Sequence, residues 1–580
     1  MIRERIVLDG EWRFMPDPYD CGDRHEYWQS GLDDSGWQPA RLPASFDQIS
    51  PELDGYEGAG WFRCAVDVPA AWQGQRVALQ FAGVNDHSRV WLNGVPVAAN
   101  DCGFLPFAAE VAAQLRYGAP NQIAVRTDNV RVPEDLFRDS VGWRPRGGIL
   151  REVTLVATAT TYLQDLHVTA EPTPAGGQLT LAVCVRNAAA RPFAGELQAT
   201  VLDSAGAMVA ELPRGPVSVA AGREETVTLR ARVPGAAAWS PDRPVLYTAR
   251  VALQRGTEAV DAEAVRFGFR SIRTAGVRLL LNGQPIRLRG VNRHEDTPLA
   301  GLCPDPAGVR RDLESIQAAG ANFVRLAHYP HHPLELDLCD ELGLLVLDEI
   351  PLYWWQGEAE PGGACARKLA AAGAQLERMI RRDRNHPSVI FWSVSNETNE
   401  ALPEVRAGTG ALLRRARALD PTRLAVHVSD RAWVEADLFS EDDVICVNAY
   451  PSMKPVLVDG GSTQDLSNST HAWRTFLAQL HERYPTKPIL VSEFGFVALA
   501  GVVAGPLGEE TQAQVLAAEH AGMAAEYVCG ATVWCWADHA WPHGQDHLRR
   551  MATSPYGVVT RGRRPKRALA TLRRLFAAPA

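Results

Sequence analysis

Ser388-Val-Ile-Phe-Trp-Ser-Val-Ser-Asn396-Glu397 and Pro488-Ile-Leu-Val-Ser-Glu493-Phe-Gly are the two stretches that decide how this chain folds. Each is a short, continuously apolar run, the pattern of a strand buried on both faces of a parallel sheet. Each ends in a glutamate, at the point where a parallel strand delivers side chains to a ligand. One such glutamate is ordinarily a helix cap or a surface charge; two of them on matching runs ask for a common explanation.

Working outward, eight apolar runs with helical stretches between them follow residue 286: Ile286–Val291, Asn322–Ala327, Leu344–Leu347, Val389–Val394, Leu424–Val428, Val444–Val447, Ile489–Val491 and Thr532–Trp536. Eight strand–helix units in this span predict a (β/α)₈ TIM barrel, whose functional groups gather at the C-terminal strand ends. Arg293, His294, His328, Glu349, Asn396, Glu397, Tyr450, Glu493, Trp536 and Asp538 stand at those ends. Polar and aromatic groups converging from separate strands are hard to account for by packing, and a pair of carboxylates among them suits hydrolysis of a glycosidic bond.

Upstream of the barrel the chain is strand-rich. Val77-Ala-Leu-Gln-Phe and Ser88-Arg-Val-Trp-Leu are short β runs, and Asn93-Gly94 marks a hairpin. Residues 1–157 therefore predict an N-terminal β-sandwich of jelly-roll type, a sugar-binding-like domain. Residues 158–270, with runs such as Leu179-Thr-Leu-Ala-Val-Cys-Val and Glu225-Thr-Val-Thr-Leu, predict an immunoglobulin-like β-sandwich. The barrel then occupies 271–580, after Gly268-Phe-Arg-Ser-Ile.

A chain of 580 residues exceeds what one core supports, in keeping with this multidomain reading. Lys and Arg number 59 against 68 Asp and Glu, a net charge of −9 that argues against a nucleic-acid or anionic-membrane partner. The first residues lack the apolar stretch of a signal peptide, and no segment approaches a membrane span. Ten cysteines without metal-site spacing read as thiols in a reducing compartment, so a cytoplasmic setting is expected.

Longer motifs carry a resemblance. Leu8-Asp-Gly-Glu-Trp-Arg-Phe, Val90-Trp-Leu-Asn-Gly, Gly147-Gly-Ile-Leu-Arg-Glu-Val, Gly290-Val-Asn-Arg-His-Glu-Asp, Asn322-Phe-Val-Arg-Leu-Ala-His-Tyr-Pro, Asp383-Arg-Asn-His-Pro-Ser-Val and Trp392-Ser-Val-Ser-Asn-Glu follow one another along the chain. In content and order they resemble glycoside hydrolase family 2, the family of β-galactosidases, β-glucuronidases and β-mannosidases. The architecture is similar to that of the compact β-glucuronidases.

The resemblance implies a retaining exo-β-glycosidase that releases a terminal sugar through a covalent glycosyl-enzyme. Retention needs two carboxyl groups about 5 to 5.5 Å apart. Glu397 is then the acid/base and Glu493 the nucleophile. Asn396 would bond the sugar 2-hydroxyl, and Tyr450 would contact the nucleophile. His294, His328 and Trp534 would line the sugar site, with Trp354 and Trp355 either lining an aglycone site or packing. Asp139 would match the family aspartate that reaches from the first domain.

The sugar itself is a choice between a uronide, as in β-glucuronidases, and a neutral hexoside such as a β-galactoside. β-Glucuronidases of the family carry an Asn-x-Lys element before a segment that here reads Thr560-Arg-Gly-Arg-Arg-Pro-Lys566. At the preceding positions this chain has Ser554-Pro-Tyr556-Gly, with no lysine. A buried carboxylate needs a partner. Arg144 or Arg146 is the candidate cation, and Tyr556 counts among the substrate-binding candidates. No metal and no cofactor is expected; the partner is a small carbohydrate or glycoside, and a homo-oligomer is expected by family analogy. The reading from another class, a carbohydrate-binding protein without activity, is disfavoured by the presence of Glu397, Glu493, Asn396 and Tyr450 together.

Overall fold

In the computed structural model the residues described are 3–137, 141–357, 364–457, 466–541 and 552–577. Two sandwiches precede a closed barrel. In the first, a six-stranded antiparallel sheet, ordered Gln38–Leu42, Gly10–Asp17, Ala59–Asp67, Pro120–Asp128, His87–Leu92 and Val95–Asn100, faces a four-stranded one. Alternating side chains of both, Trp12, Phe14, Phe62, Val77, Leu79 and Val90 among them, fill the space between. Asn93 and Gly94 both take positive φ in the hairpin joining His87–Leu92 to Val95–Asn100, as such a two-residue turn requires.

The second sandwich pairs Thr161–Thr173, Gly176–Asn187 and Glu224–Pro234 in one sheet, against a sheet centred on Phe193–Leu202, Tyr247–Arg255 and Glu258–Phe267. Both are antiparallel with every second residue buried along the central strands, the alternation that a two-layer core imposes.

The barrel closes in chain order from eight parallel strands: β1 (Leu288–Arg293), β2 (Phe323–Leu326), β3 (Leu345–Glu349), β4 (Val389–Asn396), β5 (Leu424–Ser429), β6 (Ile445–Asn448), β7 (Ile489–Phe494) and β8 (Val528–Val533). Seven runs read from the sequence coincide with β1–β7. The eighth begins four residues earlier than the sequence suggests, and its early part contains Gly530, which is a packing requirement. A Cβ there would stand 2.5 Å from that of Leu288 on β1, so glycine is what lets the barrel close. The ten cysteines are all free. Among the described residues no helix is long and apolar enough to cross a membrane.

Both sandwiches are fastened to the barrel, and this positions the site. From the first, Arg151 donates to Glu295 just beyond β1, the Phe104 ring stacks on Tyr329 with centroids 4.2 Å apart, and the Gly142 carbonyl accepts from His539. From the second, Arg270 enters the opposite, N-terminal end of the barrel. Its Nε, Nη1 and Nη2 donate to the carbonyls of Pro387, Thr422 and Val389 at 3.0, 2.9 and 2.6 Å. The side chain is buried, and burial beside Arg423 pushes its pKa down.

Arg270→Ala should therefore strand three buried carbonyls, at about 1–3 kcal/mol for each left unsatisfied. The expected loss is about 3 kcal/mol or more, seen as a drop of several degrees in the barrel's thermal transition. A change below one degree would show that water replaces the guanidinium without cost.

Candidate active site

The site is organised by one side chain within an otherwise apolar strand. Arg325 on β2 is fully buried and donates to two carboxylates: Glu349 at the end of β3, at 2.9 Å, and Glu493 on β7, at 2.5 Å. Its fork also reaches Asn396 Oδ1 on β4 at 2.7 Å and Asn292 Oδ1 on β1 at 3.2 Å. Two anions on one guanidinium raise the affinity of Arg325 for its proton further and hold Glu349 below its ordinary range. Ser393 Oγ, at 2.7 Å, and His328 Nδ1, at 2.9 Å, complete the shell of Glu349.

Glu493 accepts from Arg325 and, on its other oxygen, from the Tyr450 hydroxyl at 2.5 Å. Burial raises its pKa and these two donors oppose the rise. Glu397 stands in a different environment. Its oxygens accept from two neutral donors, Asn448 Nδ2 at 2.7 Å and Trp354 Nε1 at 2.9 Å. Burial and the nearby charge of Glu493 push it up to about 7. Burial raises both carboxyls, but the hydrogen-bonded guanidinium of Arg325 opposes the rise at Glu493, an arrangement that favours the proton on Glu397 and the anion on Glu493. A pair separated in this way can supply an acid and a nucleophile at once.

The backbone places Glu397 by force. It takes φ +50°, a left-handed conformation that costs a β-carbon-bearing residue roughly 1–2 kcal/mol. Its N–H donates to Val428 on β5 at 2.8 Å, and Asn396 N–H to Leu352 at 2.9 Å. These bonds turn the chain inward immediately after β4.

A cleft of about 190 Å³ opens over the pair, lined by both glutamates and by Asn396, His328, Tyr450, Trp534 and Tyr556, together with Tyr353, Trp354, His539, Trp541, Ser554 and Gly142. Seven of the residues read from the sequence are thus brought together. His328 stacks on Trp534, with centroids 5.0 Å apart. Burial lowers both His328 and His539 to about 4, so they face the cleft as neutral rings. Among the described lining residues there is no Lys or Arg.

Other expectations are corrected. His294 lies one layer behind the cleft, among the rings of Trp143, Tyr329, Trp534 and His539. Arg144 and Arg146 are not among the described residues that line the cleft. They are paired with Asp54 and Asp47 of their own sandwich, which consumes the charge that the sequence seemed to offer. Trp354 lines the cleft while Trp355 is buried against Gly408 in the barrel wall. Trp536 is likewise core. Asp139 lies outside the described residues.

Lys566, at the end of Thr560-Arg-Gly-Arg-Arg-Pro-Lys, is a buried strut: Nζ donates to Asp538 at 2.7 Å and to the carbonyls of Ala498 and Pro555. Arg561 and Arg563 clamp the same segment to Asp296 and Asp312, and together they present Ser554 and Tyr556 to the cleft.

Sequence reasoning gave no role to Arg325, Asn448 or His539. Arg325 had a signal: an arginine inside a buried parallel strand must meet a carboxylate, and strand-end glutamates were already in view. His539 and Trp541 follow β8 in irregular chain, where no periodicity points inward. For a metal, the described residues offer one three-ligand group, Asp337, Asp340 and His386, on the far side of the barrel. Asp337 is engaged there by Arg266, and Asp340 by His386 and the Ser388 N–H.

Comparison with known proteins matches three consecutive family models: "Glycosyl hydrolases family 2, sugar binding domain" over residues 6–159, "Glycosyl hydrolases family 2" over 161–270, and "Glycosyl hydrolases family 2, TIM barrel domain" over 272–578. A curated β-glucuronidase of Paenibacillus borealis is 29% identical, with 99% of this chain and 97% of the relative aligned. One of Pongo abelii is also 29% identical, over 99% and 91%. Among solved structures, the Ruminococcus gnavus β-glucuronidase superposes with a TM-score of 0.88 at 24% identity, over 99% of this chain and 98% of that one. The Eisenbergiella tayi β-galacturonidase, bound to galacturonate, gives 0.87 at 24%, over 100% and 98%.

Arg325→Met should cost about 3–5 kcal/mol of stability, because Glu349 and Glu493 would remain buried without their cation. It should also move the Glu493 titration upward, read by ¹³C NMR of labelled carboxylates. An unmoved Glu493 would show that Tyr450 alone keeps it ionised.

Proposed function

We infer that this chain, which belongs to glycosyl hydrolases family 2 and is a retaining glycoside hydrolase, acts on a terminal β-D-uronide, as a β-glucuronidase does. The end-to-end alignment with curated β-glucuronidases, over 99% of this chain, supports the uronide, and the split carboxyl pair supports the chemistry.

In this reading Glu493 attacks the anomeric carbon as Glu397 gives its proton to the departing oxygen. The bond between them breaks, the aglycone leaves as an alcohol, and a glycosyl ester forms on Glu493. Glu397, now a carboxylate, takes a proton from water, which attacks the same carbon and frees Glu493. Arg325 and Tyr450 hold Glu493 as the anion that must attack, and Asn396, itself held by Arg325, faces the sugar. Trp534 supplies a flat apolar face for a pyranose ring.

A uronate carboxylate would meet hydroxyl donors in the described lining: Ser554 Oγ, buried and without a hydrogen-bond partner, and the Tyr556 hydroxyl. The absence of a cation among those residues favours a second reading, a neutral β-hexoside, whose C6 hydroxyl needs no counter-charge. Self-association and a cytoplasmic setting belong to the same proposal, the first read by sedimentation.

Side-by-side assays of 4-nitrophenyl β-glucuronide, β-galacturonide, β-galactoside and β-mannoside decide the sugar. A uronide is expected to turn over fastest, and a neutral hexoside doing so would replace the first reading with the second. Glu493→Gln should abolish turnover while leaving binding nearly intact; a variant still fully active would remove Glu493 as nucleophile.

The sign of the pH dependence follows from the pair. Activity needs Glu397 protonated and Glu493 ionised, so kcat/KM should fall as pH rises through about 7. Glu397→Ala should erase that alkaline limb and slow substrates with poor leaving groups by about 10²–10⁴-fold. A limb that survives in Glu397→Ala belongs to another group.

A further inference from the structure

Two clefts meet at Glu397. The sugar cleft shares Glu397 and Tyr450 with a second groove of about 470 Å³, whose described lining includes neither Glu493 nor His328 nor Trp534. An acid that protonates a departing oxygen stands between the sugar and what leaves it. The groove on the far side of Glu397 is therefore the path of the aglycone, an argument that rests on the acid role proposed above.

The walls of this groove define what fits. Ala449 and Pro451 after β6, with Trp473 and Phe476 from the helix Ser467–Arg483, make it largely apolar and aromatic, suited to a flat apolar body. Among the described residues, one carboxylate besides Glu397 stands against that wall. Asp430 directly follows β5, and its Oδ1 is buried without a hydrogen-bond donor. Arg431 Nε is 3.6 Å away, but it donates to the Thr398 carbonyl at 3.1 Å. The Asp430 side chain is nevertheless 37% exposed, so its remaining surface is open to an occupant.

We propose that Asp430 sets the aglycone specificity of this enzyme: the groove takes a flat, apolar aglycone bearing a hydrogen-bond donor, foremost a protonated amine, that binds the Asp430 carboxylate. Charge complementarity commits the choice. An apolar aglycone without a donor fills the walls but displaces water from the open part of the carboxylate, whereas an ammonium or hydroxyl group bonds it there. An anionic aglycone meets repulsion from Asp430. Burial and the neighbouring Glu397 raise Asp430 only to about 6, so above neutrality it is charged.

The test compares 4-(aminomethyl)phenyl with 4-methylphenyl β-glycosides of whichever glycone the wild type turns over, at pH 7.5. Asp430→Asn supplies the baseline, since leaving-group acidity is the same for both enzymes. The ratio of kcat/KM, amine over methyl, is expected to be about tenfold higher in the wild type than in Asp430→Asn, and Asp430→Glu should recover part of it. Equal ratios in the wild type and Asp430→Asn overturn the proposal. If the Asn variant does not fold, Asp430→Ser gives the baseline. Failure of the uronide reading looks different: both uronides are inert, while the matching neutral glycosides still report the amine preference.

Discussion

Everything at the mouth of this barrel depends on the burial of Arg325. A guanidinium removed from water is tolerated only when its donors are matched, and here two carboxylates and two asparagine oxygens converge on it. The partners come from β1, β3, β4 and β7, so the arginine fixes the relative heights of strands that are far apart in sequence. Breaking the cluster would expose one of the anions to a low-dielectric interior. Register, ionisation of Glu493 and orientation of Asn396 are thus consequences of one charge-pairing requirement.

The same cluster places the two glutamates in different surroundings. Glu493 lies on the side of the cation and accepts two charge-stabilising bonds. Glu397 lies beyond Asn396, where Trp354 and Asn448 offer neutral donors. With comparable burial, the difference in partners decides which carboxyl holds the proton. The strained backbone at Glu397 belongs to this arrangement: a relaxed strand end would carry the carboxyl on along β4 instead of turning it inward.

What could be read from sequence follows the range of the forces involved. Buried parallel strands announce themselves through unbroken apolar runs, so eight strands and both catalytic candidates were legible, as was the two-layer alternation of the sandwiches. Where a residue's meaning depends on a distant contact, reading fails. The eighth run was read from Thr532 onward, and the reason for Gly530 before it is Leu288, more than two hundred residues away. Arg144 and Arg146 looked like available cations because Asp47 and Asp54, which pair with them, lie some ninety or more residues upstream. Of the adjacent pair Trp354 and Trp355, only the turn after β3 decides which ring faces the cleft.

The substrate question shifts accordingly. The basic segment ending at Lys566 is present in the sequence, while the lysine expected before it is missing. In the fold each of Arg561, Arg563 and Lys566 is paired with an aspartate, and their work is to hold Ser554 and Tyr556 against the cleft. The loop is therefore rigid scaffolding that presents hydroxyl groups. Among the described residues the sugar cleft presents a neutral wall of hydroxyl groups and rings around the catalytic cluster, and the groove beyond Glu397 adds the carboxylate of Asp430. In the proposed reading the two recognitions are separate: the described neutral donors and aromatic faces meet the glycone, and the apolar groove with Asp430 at its edge meets the aglycone.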